Sequence, residues 1–153
     1  LDYRTIIILI LIAALSALSV ILLMGRIRRK REQEIVPMDD LEGHDFEFYC
    51  ADLLRGNGFR DVRVTRGSGD FGVDILAEKE DVTYAVQCKC YSSPIGVYAV
   101  QEAYSGRDFY GRMVGAVMTN QYFTRSAQEA ADRLKIILWD RDRLASMEEA
   151  ARR

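Results

Sequence analysis

Two strand-length runs, Val73 to Ala77 and Thr83 to Cys90, flank the charged tetrapeptide Glu78-Lys79-Glu80-Asp81, and this arrangement most restricts the folds open to the chain. Runs rich in β-branched and aromatic residues, separated by a short polar break, read as an antiparallel hairpin. The turn Gly67-Ser68-Gly69-Asp70-Phe71-Gly72 leads into it and is rich in residues that tolerate unusual backbone angles, so it should be tight. Strand side chains alternate between faces, which puts Gln87 and Lys89 on one side and Val86, Cys88 and Cys90 on the other. Asp74 opens the first strand, opposite the end of the return strand, so Asp74, Gln87 and Lys89 can converge.

A carboxylate, an amide oxygen and a lysine at one strand pair suit metal-assisted phosphodiester hydrolysis. Asp74 would bind a hard divalent cation through oxygen, with Gln87 as a neutral oxygen ligand beside it. Lys89 would orient or help deprotonate the attacking water and offset charge on the phosphorane. The spacing D-x(12)-Q-x-K is loose, however. It serves equally well for a buried polar pair that satisfies itself, next to a lysine whose ammonium reaches solvent.

Ahead of this lies Ile6 to Met24, nineteen residues without a charge. As a helix it would span roughly 28 Å, the thickness of a bilayer's hydrocarbon core. Arg26, Arg28, Arg29, Lys30 and Arg31 follow it, against a single Arg4 before it. A signal peptide would carry its basic residues first. The bias instead predicts a single-pass helix of the cytoplasmic membrane with the rest of the chain in the cytoplasm. The expected organisation is a transmembrane segment over residues 1–25 (core 6–24), a basic juxtamembrane stretch and polar linker over 26–41, and a globular domain over 42–153.

That domain carries 15 basic and 18 acidic side chains. Such a balance argues against tight non-specific DNA binding, although bound cations would offset an acidic site. Its three cysteines lack zinc-ligand spacing and read as reduced and packed. The lone histidine, His44, is six residues from Cys50 on one predicted helix and does not face it, which argues against a Cys-His nucleophile pair.

Gly43 to Asn57 predicts a helix burying Phe46, Tyr49, Cys50, Leu53 and Leu54, with Glu47 on the flank where it could reach toward Asp74. A first strand, Phe59 to Thr65, precedes the hairpin. After it, the spacing predicts a helix from Val97 to about Tyr110, with Val97, Val100 and Tyr104 inward and Gln101 beside them. Met113 to Thr119 reads as a strand covered on both faces. Thr124 caps a helix with Ala127, Ala130, Ala131 and Leu134 inward, Ile136 to Trp139 forms a last strand, and Asp140 caps a terminal helix with Leu144 and Met147 inward. The order α-β-β-β-α-β-α-β-α predicts an α/β sandwich around a mixed sheet.

Six short signatures in this order carry a resemblance. They are Phe46-Glu47; Gly69-Asp70-Phe71-Gly72-Val73-Asp74; Val86-Gln87-Cys88-Lys89; Val100-Gln101-Glu102; Thr119-Asn120 with Phe123-Thr124; and Leu138-Trp139-Asp140 with Leu144. From Gly43 to Leu144 the chain resembles the Mrr-like type IV restriction endonuclease domain of the PD-(D/E)xK nuclease superfamily. The resemblance implies a restriction-endonuclease-like sandwich that cuts DNA with Mg²⁺, using Asp74, Gln87 and Lys89 as its catalytic core. It also implies that Glu47 and Gln101 support the site from the flanking helices and that Asp70 belongs to the same motif. Two departures stand out: Gln87 replaces the superfamily's glutamate, as is usual in this branch, and a predicted membrane helix takes the place of a separate DNA-recognition domain.

Two other readings use the same fold. One is a non-catalytic membrane-tethered module that binds nucleic acid or protein, which the acidic balance would suit; the other is a structure-selective nuclease related to junction resolvases. A homodimer is expected if both DNA strands are cut.

Overall fold

The computed structural model describes residues 2–3, 16–20, 37–65 and 71–152. The chain divides into two compact units, Leu1–Val36 and Pro37–Arg153. In the first, residues 16–20 are helical; most of the expected membrane segment lies outside the described residues. No helix among the described residues is long and apolar enough to cross a membrane.

The second unit is built on a five-stranded sheet: β1 (Arg60–Val64), β2 (Ile75–Lys79), β3 (Val82–Lys89), β4 (Val114–Thr119) and β5 (Ile136–Trp139), in that spatial order. The first three strands run antiparallel, and β3, β4 and β5 run parallel. Parallel neighbours need crossover connections. Helices α2 (Val97–Phe109) and α3 (Arg125–Leu134) supply them, while α1 (Gly43–Gly56) precedes the sheet and α4 (Arg141–Ala151) ends the unit. The mixed α/β sandwich expected from the sequence is therefore the fold observed.

Each sheet face has its own core. Phe46, Cys50 and Leu54 of α1 and Leu144 and Met147 of α4 pack on Ile75, Ala77, Val86, Cys88, Ala116, Met118 and Trp139. Ala99, Val100 and Ala103 of α2 and Ala127 and Ala131 of α3 pack on Val117 and Ile136 of the opposite face. Both sequence-predicted caps form: Thr124 Oγ1 accepts from Ala127 N (3.2 Å), and Asp140 Oδ1 accepts from Arg143 N (3.0 Å). At the hairpin tip Glu80 (φ 51°) and Asp81 (φ 63°) are both left-handed, the pattern of a two-residue turn whose twist matches the strands it joins.

Two expectations need correction. The stretch read as linker is structured at its end: Met38–Asp40 is a 3₁₀ helix, and Met38 and Leu41 pack against the α1-side core. Asp39 is tied to Arg141 and to Asn120 Nδ2 (3.1 Å), which holds this turn to the end of β4 and the start of α4. Second, α2 is rotated from the face predicted for it. Its buried stripe is Ala99, Val100, Ala103 and Gly106, while Tyr104 is exposed and Val97 only half-buried. Small residues let the helix approach closely; a Cβ at Gly106 would fall 2.2 Å from Val73 Cγ2 and 2.8 Å from the carbonyl oxygen of Phe71.

Candidate active site

The β2–β3 ladder ends at Ile75 and Val86, where Asp74 N donates to Val86 O (2.9 Å). Beyond that point β3 continues against β4 alone, pairing Gln87 with Val117 and Lys89 with Thr119. The side chain of Asp74 takes over where the main-chain ladder stops, accepting from the N–H of Cys88 at 2.6 Å. Gln87 Nε2 donates to the same Oδ2 at 2.5 Å. Diverging strands thus open a notch at the C-terminal end of β3, and the polar residues of the sequence motif fill it.

The notch is the inner wall of a pocket of about 370 Å³, lined by Glu47, Gly72, Asp74, Gln87, Cys88, Lys89, Tyr91 and Glu102 among others. Asp74 and Gln87 are buried, at 8 % and 5 % exposed. Lys89 projects into the mouth, where Nζ meets Glu102 Oε2 at 2.8 Å. Burial works against its charge, but the hydrogen bond and the charge of Glu102 outweigh it, so the lysine pKa is raised and the group is cationic across the neutral range. Glu47 reaches the pocket from α1, with Oε2 2.9 Å from His44 Nδ1. On the other face of β3 the Cys88 thiol is pushed well above its usual range, first by burial and then by Cys50. It is core, not chemistry.

Of the six expected site residues, Asp74, Gln87, Lys89 and Glu47 share this pocket. Asp70 lies outside the described residues. Gln101 is exposed on α2, away from the pocket, because the helix buries Ala99, Ala103 and Gly106. At roughly 100° per residue, that phase turns Gln101 outward and brings Glu102 to the flank. The sequence places Glu102 in the Val100-Gln101-Glu102 signature without a role of its own; the small-residue stripe of Ala99, Ala103 and Gly106 is the signal that turns it toward the site.

The donor set suits a hard cation. Among the described residues there is no cluster of three or more His, Cys, Asp or Glu side chains that could hold a metal. Oxygen from other groups is nevertheless concentrated here. Gln87 Nε2 lies between Asp74 Oδ2 and the carbonyl oxygen of Cys88 (3.3 Å), while Gln87 Oε1 is buried without a hydrogen-bond partner among the described residues. Amide nitrogen and oxygen exchange places by a half-turn. Turned over, the amide would join the Asp74 carboxylate and the Cys88 carbonyl as a third oxygen, the ligand type that Mg²⁺ and Ca²⁺ prefer.

Comparison with known proteins agrees with this topology. No curated protein sequence matches the chain. Three solved structures share the fold. A protein of unknown function, AF1548, superposes with TM-score 0.56 at 19 % identity, over 67 % of this chain and 65 % of its own. The DNA modification-dependent restriction endonuclease AspBHI gives 0.55 at 22 % identity, over 71 % of this chain and 31 % of its own. The MspJI restriction endonuclease, in complex with a 27-mer oligonucleotide, gives 0.50 at 21 %, over 68 % and 27 %. The chain therefore spans less than two-thirds of each relative's length. A family model described as restriction endonuclease, of the Mrr catalytic type, matches residues 38–148. That match covers the whole sheet, helices α1 to α3, most of α4 and every residue of the pocket, and by it the chain belongs to the Mrr-type restriction endonuclease family.

Proposed function

We propose that the chain is a divalent-cation-dependent DNA endonuclease of Mrr restriction type, tethered to the cytoplasmic membrane by its N-terminal apolar segment. The observation that carries the catalytic reading is the notch at the end of β3, where Asp74, Gln87 and the Cys88 carbonyl converge beside the Lys89 ammonium. Family membership supplies the substrate class, since DNA cleavage is what unites restriction endonucleases. Asp74 and Gln87 would hold Mg²⁺, with the Cys88 carbonyl as a third oxygen. When bound, the cation supplies Lewis-acid polarisation of the scissile phosphate and activation of water.

The protein's own groups then have distinct tasks. Lys89 is cationic in the free site, so it donates hydrogen bonds to the phosphate and the attacking water and offsets the charge that develops there. It is poorly suited to be the base. Cys88 N–H keeps the Asp74 carboxylate oriented toward the notch, and the Gln87 Nε2 hydrogen bond adds to this until the amide would turn its oxygen to the cation. Glu47 adds a second carboxylate at the rim, available to a proton of the attacking water or to a second cation. The tether rests on the nineteen uncharged residues followed by five basic ones.

The test uses the full-length chain purified in detergent, with supercoiled and linear plasmid, modified and unmodified. Cutting should require Mg²⁺, disappear in EDTA and be lost in Lys89→Ala and Asp74→Ala. Equal cutting by wild type and Lys89→Ala would reject the site. The tether is tested separately: alkaline carbonate washing of membranes should leave the chain in the pellet, and its release into the supernatant would refute membrane insertion.

A further inference from the structure

We propose that Glu102, not Gln101, is the α2 residue that serves the site, as a positioning residue for the Lys89 ammonium. The inference deepens the nuclease reading and rests on it for its catalytic meaning. Lys89 is 19 % exposed and ends on Glu102 Oε2 at 2.8 Å, while the Glu102 side chain is 46 % exposed at the pocket mouth. An exposed ion pair on its own contributes little, because water competes with it. This one has a rigid base on the helix side.

That base is the turn before Asp74. Gly72 has φ +77°, and a Cβ there would come 2.8 Å from Glu102 Cβ and 3.0 Å from the Glu102 carbonyl oxygen. One turn on, Gly106 makes the equivalent close approach to Val73 and the Phe71 carbonyl. Two glycine contacts therefore lock α2 to the segment that delivers Asp74, and Glu102 emerges from that lock. The same contact that sets the height of Asp74 in the notch sets the origin of the Glu102 side chain. Glu102 in turn holds the far end of Lys89. A lysine has a long stem with four rotatable bonds, so without a partner its ammonium samples the mouth broadly. Pairing confines it over the buried Asp74–Gln87 pair.

Charge makes the proposal testable against a simpler role. An acidic side chain at the mouth of a DNA-cleaving pocket repels phosphate, so its removal should lower KM if repulsion is all it does. A positioning residue instead governs kcat. In Glu102→Ala, the Cβ that packs on Gly72 is kept, and the fold should hold. Its kcat on plasmid DNA should fall about ten- to hundred-fold, the cost of an ångström-scale misplacement of a catalytic group, with KM unchanged or lower. Glu102→Asp, with a carboxylate on a shorter arm, should recover part of the loss. Mg²⁺ affinity, titrated on the full chain, should not change, because Glu102 is not a proposed ligand.

A second readout needs no turnover. Limiting acetic anhydride followed by peptide mass spectrometry reports the reactivity of Lys89 against exposed Lys135 in the same molecule. Lys89 should react several-fold faster in Glu102→Ala than in wild type, with Lys135 unchanged. Unchanged labelling of Lys89 would overturn the pairing. Unchanged kcat with lowered KM would reduce Glu102 to a repulsive surface charge, and weakened Mg²⁺ binding would make it a ligand; either overturns the proposal. Protection of Lys89 in a wild type that fails to cut DNA would leave the ion pair standing and overturn its catalytic purpose together with the nuclease reading.

Discussion

Gln87→Glu restores the acidic residue of the wider superfamily, and the geometry of the notch says what it should do. Gln87 Nε2 now donates to Asp74 Oδ2 across 2.5 Å. A glutamate would place a second carboxylate at that distance, both groups being more than nine-tenths buried. With an effective dielectric of about 20, Coulomb's law gives about 7 kcal/mol of repulsion at that separation. The site has a cheaper alternative, which is to take up a proton. Protonating a glutamate of ordinary pKa near 4.3 at pH 7 costs about 4 kcal/mol, and this caps the penalty. The protonated carboxyl would then donate to Asp74 as the amide does now.

The sign of the pH dependence follows. The folded-state pKa of the new glutamate is raised, so the native state binds more protons than the unfolded state over the interval between the two values. Stability is full below about pH 4.3 and falls by about 1.4 kcal/mol per unit as pH rises, until the folded pKa is passed. In EDTA at pH 7 the variant should melt about 15 °C below wild type, at about 4 °C per kcal/mol for a unit of this size. The deficit should shrink to about 4 °C at pH 5, where about 1 kcal/mol of the penalty remains. Excess Mg²⁺ should offset much of it and raise the melting temperature of the variant more than that of wild type, since the added charge tightens the site; a hundredfold excess over Kd contributes about 2.7 kcal/mol. Differential scanning fluorimetry across pH, with and without metal, is the assay. Coincident melting of the two proteins in EDTA at pH 7 would refute the Asp74–Gln87 contact, and with it the oxygen cluster on which metal binding is argued.

Three further outcomes are expected. Gly106→Ala forces a methyl group to within 2.2 Å of Val73 Cγ2 and should cost about 1–3 kcal/mol in chemical denaturation, with cutting lowered at least in proportion to the fraction unfolded in native buffer. Glu80→Asn with Asp81→Gly matches the two left-handed positions of the hairpin tip and should raise stability by about 1 kcal/mol without changing cleavage, as read by thermal melting beside a plasmid assay. Arg141, by its hydrogen bond, holds the Asp39 carboxyl below the ordinary aspartate range. This contribution is present above that range and is lost as pH falls through the depressed value, so the Asn120 side-chain amide resonance should shift only below the ordinary carboxylate pH and should not titrate in Asp39→Asn.

The sequence by itself determined the elements and the residues that oppose one another locally. Alternation along Thr83 to Cys90 separated Gln87 and Lys89 from Val86 and Cys88, because a strand's period of two leaves no other choice once one face is buried. The hairpin, both helix caps and the stripe of α1 were legible for the same reason: each is decided by neighbours a few residues apart. The rotation of α2 was not. Val97, Val100 and Tyr104 are its bulkier candidates, yet only Val100 is buried; the face that docks is centred on Ala99, Ala103 and Gly106, chosen by how closely the helix can approach Val73 and Gly72. Glu102 rather than Gln101 reaches Lys89 only as a consequence. The same holds for Met38–Asp40, which looks like linker until Asn120 and Arg141, about 80 and 100 residues away, are brought beside Asp39. Contacts across such separations follow from how helices pack on a sheet, and that packing is a property of the assembled core, not of any segment within it.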